Sequence, residues 1–232
     1  MIKFIKNELY GWKLWEILWL FLSCFIIAAV SVALGDSLMG IISAVSGILY
    51  VILAGKGKLS AYIFGLINSI LYAIISYKAS LFGETMLNAL YYLPMQFVGF
   101  ALWSKNMNLD TGEVRKRHMS NKNRILCLLC IGIATYLYGL ALSYLGDAMP
   151  YIDSFTTVAS IIAMIVSVKM YSEQWWIWLL VNSLSIYMWY NNFSKGSDNI
   201  ATLLMWVVYL ISGILMLIKW EKEIKNESNT KS

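Results

Sequence analysis

Charged residues, prolines and metal-binding side chains are all scarce in this sequence. Of its 232 residues, 13% are charged and 59% are hydrophobic, and it has two prolines, three cysteines and one histidine. A soluble domain has about 25% charged and roughly 45–50% apolar residues. The shortage of charge excludes an ordinary soluble protein. Together with apolar runs of roughly 20 residues, it predicts a single integral membrane domain over residues 1–232.

The cysteines and the histidine do not form a recognisable metal or redox site. Cys127 and Cys130 have CxxC spacing, but no second pair or nearby histidine accompanies them. A zinc site needs more ligands than these. Thiols that pack as small apolar groups are the better interpretation, so neither a metal nor another cofactor is predicted.

Motifs for catalysis and for energy coupling are also missing. The stretch Gly55-Lys56-Gly57-Lys58 lacks the spacing of a phosphate-binding loop, and no Ser/His/Asp set is present. No acidic residue lies deep in an apolar run, where a proton relay or a sodium site would be expected. The sequence therefore indicates neither an enzyme nor an ion-coupled pump.

Eight apolar runs divide the chain, and each predicts a helix because an exposed sheet edge cannot be satisfied in lipid. The predicted spans are 15–34, 37–54, 59–77, 84–103, 125–146, 151–170, 174–190 and 199–218. A polar, basic loop from Ser104 to Arg124 separates the fourth span from the fifth. Residues 219–232 form a charged cytoplasmic tail that is predicted to be frayed. The first span exceeds the apolar run of about 7–15 residues in a signal peptide, so a retained helix is favoured over a cleaved leader.

The charges between the spans predict the orientation of the chain. All but two of the 18 lysines and arginines fall in loops on one side of an eight-helix arrangement, the two exceptions being Lys78 and Lys195. The opposite side instead carries Asp36, Glu84, Asp147, Asp153 and Asp198. This pattern follows the positive-inside rule, so the net charge of +5 does not indicate nucleic acid binding. It predicts a multi-pass protein with both termini in the cytoplasm.

The second half of the chain resembles the first. A shift of 114 residues places spans two to four, residues 37–103, on spans six to eight, residues 151–218. Asn68-Ser69 then aligns with Asn182-Ser183, whereas the loop that follows matches better at a shift of 113. Amides are scarce inside membrane helices, so the Asn-Ser match indicates an internal repeat.

Four spans separate corresponding helices, so the two copies share one orientation. Residues 125–146 then form a linker helix, and residues 15–34 form an extra first helix. The predicted fold is an all-α membrane protein of eight transmembrane helices, with parallel three-helix repeats in a 3+1+3 arrangement. A substrate site is expected at the repeat interface near the midplane. Gly132, Gly139 and Ser143 share one face of the linker helix, which predicts close helix packing.

Three residues of the seventh span, Trp175, Trp178 and Asn182, share one helix face. Asn182 and Asn68 lie near the middle of their spans, where unpaired amides would cost several kcal/mol. Such amides bind substrate or join helices, and their matching positions favour substrate contact. The two indoles suit a flat, cationic ring. The alternative for tryptophan, an aromatic belt at the membrane surface, is assigned to Trp176.

The fourth span carries a second polar face. Asn88, Tyr92 and Gln96 recur every four residues, and the two amides are candidates for contact with substrate. Helix–helix hydrogen bonds are the alternative. Pro94 predicts a kink in this span. Further expectations concern Asp153 as a solvated residue, Glu16 as an interfacial one, and an entrance lined by Thr156, Thr157 and Ser160.

The pattern Trp175-x-x-Trp178-x-x-x-Asn182 resembles the WxxWxxxN signature of the PnuC family of bacterial vitamin transporters. The amide at Asn68, the eight-helix plan and the start Trp15-Glu16-Ile17 extend the resemblance over nearly the whole chain. The resemblance implies a fold related to SWEET-type sugar transporters and facilitated diffusion of nicotinamide riboside, which is trapped by cytoplasmic phosphorylation for NAD biosynthesis. It also implies a homo-oligomer, with a homotrimer as one form.

We therefore expect a uniporter for nicotinamide riboside in the bacterial cytoplasmic membrane, with its substrate held between the repeats. The expected site residues are Trp175, Trp178, Asn182, Asn68, Asn88 and Gln96. A carrier of thiamine, or of another ring-containing vitamin or nucleoside, is the alternative within the same class. A membrane receptor or structural subunit that does not transport is the alternative of another class.

Overall fold

The computed structural model describes residues 8–33, 35, 37–78, 85–108, 111–144, 146, 149–194 and 200–229. Within these ranges the chain forms eight long helical segments. They are α1 (Leu14–Ala33), α2 (Leu38–Lys56), α3 (Ala61–Lys78), α4 (a π-helical turn at Leu87–Tyr92 continued by an α-helix at Leu93–Lys105), α5 (Asn121–Tyr144), α6 (Pro150–Val168), α7 (Gln174–Ser194) and α8 (Ile200–Asn229). Each falls on one predicted span, so the prediction of an all-α chain is confirmed for the described residues.

Five of these helices are long and apolar enough to cross a membrane, namely α1, α2, α5, α6 and, from Leu203 onward, α8. α3 contains a shorter apolar stretch, Ala61–Ile75. α4 is divided by its π turn, and α7 carries Trp, Tyr, Asn and Ser where the others carry aliphatic residues. These three helices are also the ones whose polar side chains were predicted to face a substrate.

Six of the helices form a closed ring. Going round it, α2 packs on α3, α3 on α4, α4 on α6, α6 on α7, α7 on α8, and α8 on α2. Outside the ring, α1 packs against α2 and α8, and α5 packs against α6. The two contacts that join the halves of the chain, α2 with α8 and α4 with α6, correspond to each other as a two-fold axis would require.

The helices α2 and α6 end in the same hydrogen-bonded turn. After α2, the amide of Gly57 donates to the carbonyl three residues back, and the amide of Lys58 donates to the carbonyl five residues back. After α6, the amides of Met170 and Tyr171 make the same two hydrogen bonds. Both turns contain a residue in the left-handed conformation, Gly57 at φ 81° and Met170 at φ 63°. This is the Schellman arrangement, which satisfies the last carbonyls of a helix. The two turns lie 113 residues apart.

The same spacing of 113 residues relates α3 to α7. The exposed isoleucines of α3 are Ile63, Ile67, Ile70 and Ile74. At this spacing they correspond to Trp176, Leu180, Ser183 and Tyr187, which are all exposed. The exposure pattern of these two helices thus favours a spacing of 113 residues, one less than the shift of 114 that pairs Asn68 with Asn182.

The predicted frayed tail is instead helical. α8 continues to Asn229, and only the last three residues lie outside the described ranges. Trp220 is fully buried, and its Nε1 donates to the Gly55 carbonyl at 2.7 Å. Lys219 pairs with Glu223 at 3.0 Å. A buried indole and an i,i+4 ion pair therefore extend the helix beyond its apolar run.

The small-residue stripe on α5 packs as predicted at one position only. Gly139 is buried against Tyr151 of α6. No atom lies within 4 Å of the place where a Cβ of Gly132 would stand, and Ser143 is exposed. Within the described residues, the close-packing prediction is therefore wrong for Gly132 and Ser143, although α5 packs along α6.

Several charges used to predict the orientation lie outside the described residues. They are Lys3, Lys6, Asp36, Glu84, Asp147, Lys195, Asp198 and Lys231. Asp153, which was expected to be solvated, is half-buried in the first turn of α6.

Candidate binding cavity

A cavity of about 180 Å³ lies inside the six-helix ring, and every helix of the ring contributes to its wall. The six residues expected at a substrate site all line it: Asn68, Asn88, Gln96, Trp175, Trp178 and Asn182. The structure therefore brings together residues from α3, α4 and α7 that lie far apart in the sequence. Whether they bind a substrate is a separate question, which depends on how their polar groups are partnered.

α7 supplies the aromatic wall. Trp175, Trp178 and Asn182 follow at intervals of three and four residues and share the face turned to the cavity. Trp175 is buried, and no described residue bonds to its Nε1. Asn182 is buried as well. Trp176, which was predicted to point elsewhere, is 61% exposed on the outer surface. The three tryptophans are therefore divided between the interior and the outside, as their helical spacing predicts.

Asn68 of α3 is held by a neighbouring helix. Its Nδ2 donates to the Ser43 carbonyl of α2 at 2.8 Å and lies 3.3 Å from Ser43 Oγ. The interpretation as a link between helices thus applies to this amide nitrogen, although the residue also lines the cavity. Ser69 and Tyr72 share the same face of α3 and line the cavity too. Sequence reasoning missed both, because a serine and a tyrosine in a membrane helix are common and have no distinctive spacing.

α4 reaches the cavity through its π-helical turn. The Leu93 amide donates to the Asn88 carbonyl, five residues back, and Pro94 follows directly. Proline has no N–H to continue the α-helical ladder, which favours a wider turn before it. The irregularity predicted from Pro94 thus takes the form of a π turn. Asn88, Tyr92 and Gln96 line the cavity as one stripe.

Gln96 depends on a glycine in the helix opposite. A Cβ on Gly65 would overlap Gln96 Oε1 and would lie 2.7 Å from a ring carbon of Tyr50. Gln96 is buried, and its Oε1 has no hydrogen-bond partner among the residues that the structure describes. Buried polar atoms normally find a partner, so this acceptor oxygen suits a donor group on a ligand.

The sequence predicted polar residues of α6 beside the cavity but none of the residues that α2 and α8 contribute to its wall. Tyr50 Oη lies 3.5 Å from Met164 Sδ across the cavity wall. On α8, Trp206 packs edge-on against Tyr209 with ring centroids 5.6 Å apart. Trp206 Nε1 is buried and has no hydrogen-bond partner within the described ranges. A single aromatic residue in an apolar run looks the same whether it faces lipid or the interior. Only the position of the next helix separates the two cases.

The described residues that line the cavity include no charged side chain. Thr156, Thr157 and Ser160, which were predicted to line an entrance, belong to this wall, whereas Asp153 does not. Aromatic faces hold a cationic ring by cation–π attraction, and amides and hydroxyls bond to the hydroxyl or amide groups of a ligand. A phosphate group would find no lysine or arginine here to pair with.

Four aromatic rings pack together at one end of the bundle, and one of them lines the cavity. Tyr62 and Trp103 have ring centroids 5.1 Å apart, Trp103 and Trp220 6.4 Å, and Trp175 and Trp220 5.7 Å. All four residues are buried, and Trp175 also lines the cavity. We call these four residues the aromatic plug. The end of the bundle that it occupies, where Lys56 lies, is called the basic end.

Glu16 is part of a buried ion network at the basic end. Its carboxylate lies 2.7 Å from Lys56 Nζ, which is also 3.1 Å from Glu113. Glu16 is only 1% exposed, so its interpretation as an interfacial residue is wrong. Lysine neutralises the carboxylate inside the bundle, which allows it to turn inward. The ion network comprises Glu16, Lys56, Glu113, Lys116, Lys219 and Glu223.

Glu113 joins the network from the loop between α4 and α5. It lies 2.7 Å from Lys116 Nζ and 3.3 Å from Lys219 Nζ. Burial by itself would raise the pKa of Glu113, but the neighbouring lysines, Lys116 foremost, outweigh it and lower the pKa to about 2. The carboxylate is therefore charged at neutral pH despite its burial.

Comparison with known proteins gives a consistent result. A family model described as "Nicotinamide mononucleotide transporter" matches residues 37–222. The nicotinamide riboside transporter PnuC of Neisseria mucosa is 41% identical over 229 residues, which cover 96% of this chain and 87% of that protein. The transporter of the same name from Haemophilus influenzae is 35% identical, with coverage of 95% and 96%. The crystal structure of the vitamin B3 transporter PnuC matches with a TM-score of 0.86 at 40% identity, and covers 97% of this chain and 99% of that one.

Proposed function

The chain belongs to the nicotinamide mononucleotide transporter family, and on this premise we propose that it carries nicotinamide riboside across the bacterial cytoplasmic membrane by uniport. Two relatives that match almost the whole chain are transporters named for this substrate. The observation that carries the proposal is the uncharged cavity of aromatic rings, amides and hydroxyls at the centre of the helix ring. The protein is accordingly a transporter rather than an enzyme.

The cavity favours the riboside over the mononucleotide. The two molecules share the cationic pyridinium ring, the carboxamide and the ribose, and differ by a phosphate. A phosphate would enter a site in which the described lining residues carry no positive charge, and burying an unpaired anion is costly. The same exclusion makes uptake one-way, because a riboside phosphorylated in the cytoplasm no longer fits the site.

The polar groups of the cavity match the two ends of this substrate. The faces of Trp175 and Trp178 attract the pyridinium ring. The free Oε1 of Gln96 accepts a hydrogen bond from the carboxamide NH₂, and Asn88 lies on the same stripe of α4. Asn182 of α7 bonds to the hydroxyl groups of the ribose. Asn68, which is held by its hydrogen bond to Ser43, also lines the cavity.

Transport requires the cavity to open to each side in turn. We propose that the helices α2–α4 and α6–α8 form parallel repeats that rock against each other around the substrate. The recurrence of the Schellman turn and of the exposed face at a spacing of 113 residues supports this arrangement. The basic end is then the cytoplasmic end, with both termini on that side. The homo-oligomer implied by the family resemblance stays a prediction, which light scattering of the purified protein tests.

Tryptophan fluorescence of the purified protein tests the site and the substrate together. Nicotinamide riboside, nicotinamide mononucleotide, thiamine and riboflavin are titrated against wild type, Trp178→Ala, Asn182→Ala and Trp176→Ala. We expect the riboside alone to bind tightly. Both cavity variants should weaken its affinity at least about tenfold, as truncation of a central contact does. Trp176→Ala is the matched control, since it removes the neighbouring indole from the outer surface.

Uptake of labelled riboside into liposomes completes the test. Loss of uptake in both cavity variants, with normal uptake in Trp176→Ala, supports the assignment. Wild-type uptake in Trp178→Ala and Asn182→Ala contradicts it. Binding of thiamine in preference to the riboside selects the alternative vitamin, and binding without uptake selects a receptor.

A further inference from the structure

The ion network at the basic end joins four segments of the chain. Glu16 comes from α1 and Lys56 from the last turn of α2. Glu113 and Lys116 come from the loop between α4 and α5, and Lys219 comes from α8. α2 and α8 belong to opposite halves of the ring. The halves meet at two helix contacts, α2 with α8 and α4 with α6, which we call the seams of the ring. α1 and the loop lie outside the ring, so the network connects the seam to two segments that cross it.

Most of the ion pairs run between these segments, and two lie within one segment, Lys116 with Glu113 in the loop and Lys219 with Glu223 in α8. Lys219 Nζ lies 3.8 Å from Glu16 and 3.3 Å from Glu113, so one lysine of α8 meets carboxylates of both α1 and the loop. Lys116 pairs with Glu113 and with Glu223 of α8. Separation of α2 from α8 at this end therefore breaks several ion pairs at once.

The network also braces the aromatic plug. Lys116 Nζ lies 5.6 Å from the centre of the Trp220 ring. On its other side, Trp220 Nε1 donates to the Gly55 carbonyl of α2, next to Lys56. Trp220 is thus fixed between a residue of the network and the helix across the seam. Movement of this ring out of the plug requires both contacts to part.

We propose that the ion network is a latch that holds the basic end of the cavity closed, with α1 and the loop between α4 and α5 forming a strap across the α2–α8 seam. The proposal rests on the transport function, because only a transporter needs this end to open. It gives α1 a role that its position outside the ring leaves unexplained. None of the described residues of α1 lines the cavity, but Glu16 reaches the seam.

Buried ion pairs suit a latch that must open repeatedly. Their mutual attraction is largely offset by the cost of removing both charges from water, and the charges regain hydration when the seam parts. A single missing partner has a different effect, because it leaves the opposite charge buried and uncompensated. Neutralising Glu113 would leave the three lysines Lys56, Lys116 and Lys219 with only two carboxylates of the network, Glu16 and Glu223, to balance their charge. The closed state should then lose stability relative to the open one.

Accessibility of a cysteine beside the plug tests the latch. Ser167 lines the cavity, and its carbonyl accepts a hydrogen bond from Trp103 of the plug at 3.2 Å. The reporter is Ser167→Cys in a background in which Cys24, Cys127 and Cys130 are replaced by alanine. A charged, membrane-impermeant thiol reagent is applied from the cytoplasmic side of inside-out vesicles. We expect Glu113→Gln to raise the labelling rate at least fivefold. Glu227→Gln, the same change at an exposed position of α8, should leave the rate unchanged.

A second variant keeps the test decisive if Glu113→Gln does not fold. Glu16→Gln alone should also raise the labelling rate, and Lys56→Gln added to it should return the rate towards that of the parent, because one charge of each sign is then missing. Merely structural damage would not be repaired by a second substitution. Parent-like labelling in both folded carboxylate variants overturns the latch. The assay contains no substrate, so its failure is distinguishable from a wrong substrate assignment.

Discussion

At the scale of single residues, the polar groups of the cavity differ in whether the protein already satisfies them. The amide nitrogen of Asn68 bonds to Ser43, whereas Gln96 Oε1 and Trp175 Nε1 are buried without a partner in the described parts of the chain. The sequence could predict that these residues face inward, because helical spacing fixes their direction. It could not predict their partners, which depend on the helix opposite. For this reason the sequence alone does not distinguish Asn68, whose amide nitrogen bonds to a neighbouring helix, from Gln96, whose amide oxygen remains available to a ligand.

Gly65 should be indispensable for the site. Alanine at this position would overlap Gln96 Oε1 and crowd Tyr50, so Gln96 must turn away from the cavity. We expect Gly65→Ala to weaken riboside binding at least about tenfold and to lower stability by about 1–3 kcal/mol, as overpacking does. Fluorescence titration and thermal unfolding measure the two effects.

The control for this substitution is Gly132→Ala in α5, where the added Cβ meets no atom within 4 Å. Alanine favours a helix over glycine by about 1 kcal/mol, so this variant should bind normally and be as stable as the wild type or more so. Equal binding by both variants would contradict the requirement for glycine at position 65.

At the scale of helices, the hydropathy of the sequence predicts where each span lies but not where it ends. The predicted end of α8 is wrong because the apolar run stops at Ile218 while the helix does not. Burial of Trp220 and the ion pair of Lys219 stabilise the helix beyond that residue. For the repeat, a local Asn-Ser identity favoured a shift of 114. The hydrogen bonds of the turns after α2 and α6, and the exposed faces of α3 and α7, favour a spacing of 113 residues instead.

A hydrogen bond fastens the π turn of α4 to α6. Tyr91 Oη donates to the Ile161 carbonyl at 2.6 Å, and Tyr91 lies between Asn88 and Tyr92 of the cavity wall. A bond of this kind contributes about 1 kcal/mol. Tyr91→Phe should therefore lower stability by about that amount and weaken riboside binding several-fold, because the stripe on α4 loses its anchor.

Titration of Tyr91→Phe against Tyr136→Phe checks this anchor. Tyr136 is exposed on α5, so its phenylalanine variant should bind as the wild type does. A Tyr91→Phe protein that is less stable but binds with unchanged affinity would show that the bond supports the fold without positioning the site.

At the scale of the whole molecule, the two seams of the ring are fastened differently although the helices that form them correspond. The α4–α6 seam is joined by neutral hydrogen bonds, from Tyr91 to Ile161 and from Trp103 to Ser167. The α2–α8 seam is joined at the basic end by buried ion pairs. A difference in charge between two otherwise similar seams predicts that they respond differently to pH.

Acid should loosen the α2–α8 seam through Glu113. The pKa of this carboxyl is lowered from 4.5 to about 2, because the neighbouring lysines outweigh the effect of burial. A group whose pKa is lower in the folded state stabilises that state fully above its ordinary pKa, and the stabilisation is lost as the pH falls towards the folded value. The change from 4.5 to about 2 corresponds to roughly 3 kcal/mol at neutral pH.

Thermal unfolding followed by tryptophan fluorescence should therefore show a melting temperature that declines between pH 4.5 and pH 2. In Glu113→Gln the melting temperature should start lower at neutral pH and decline less over this interval, because the titrating group is missing. Glu227→Gln should retain the wild-type pH profile, since no ion pair involves this exposed residue among the described parts of the chain. Equal declines of the melting temperature in all three proteins would show that carboxylates other than Glu113 cause the acid sensitivity. They would contradict the prediction that acid loosens the α2–α8 seam through Glu113.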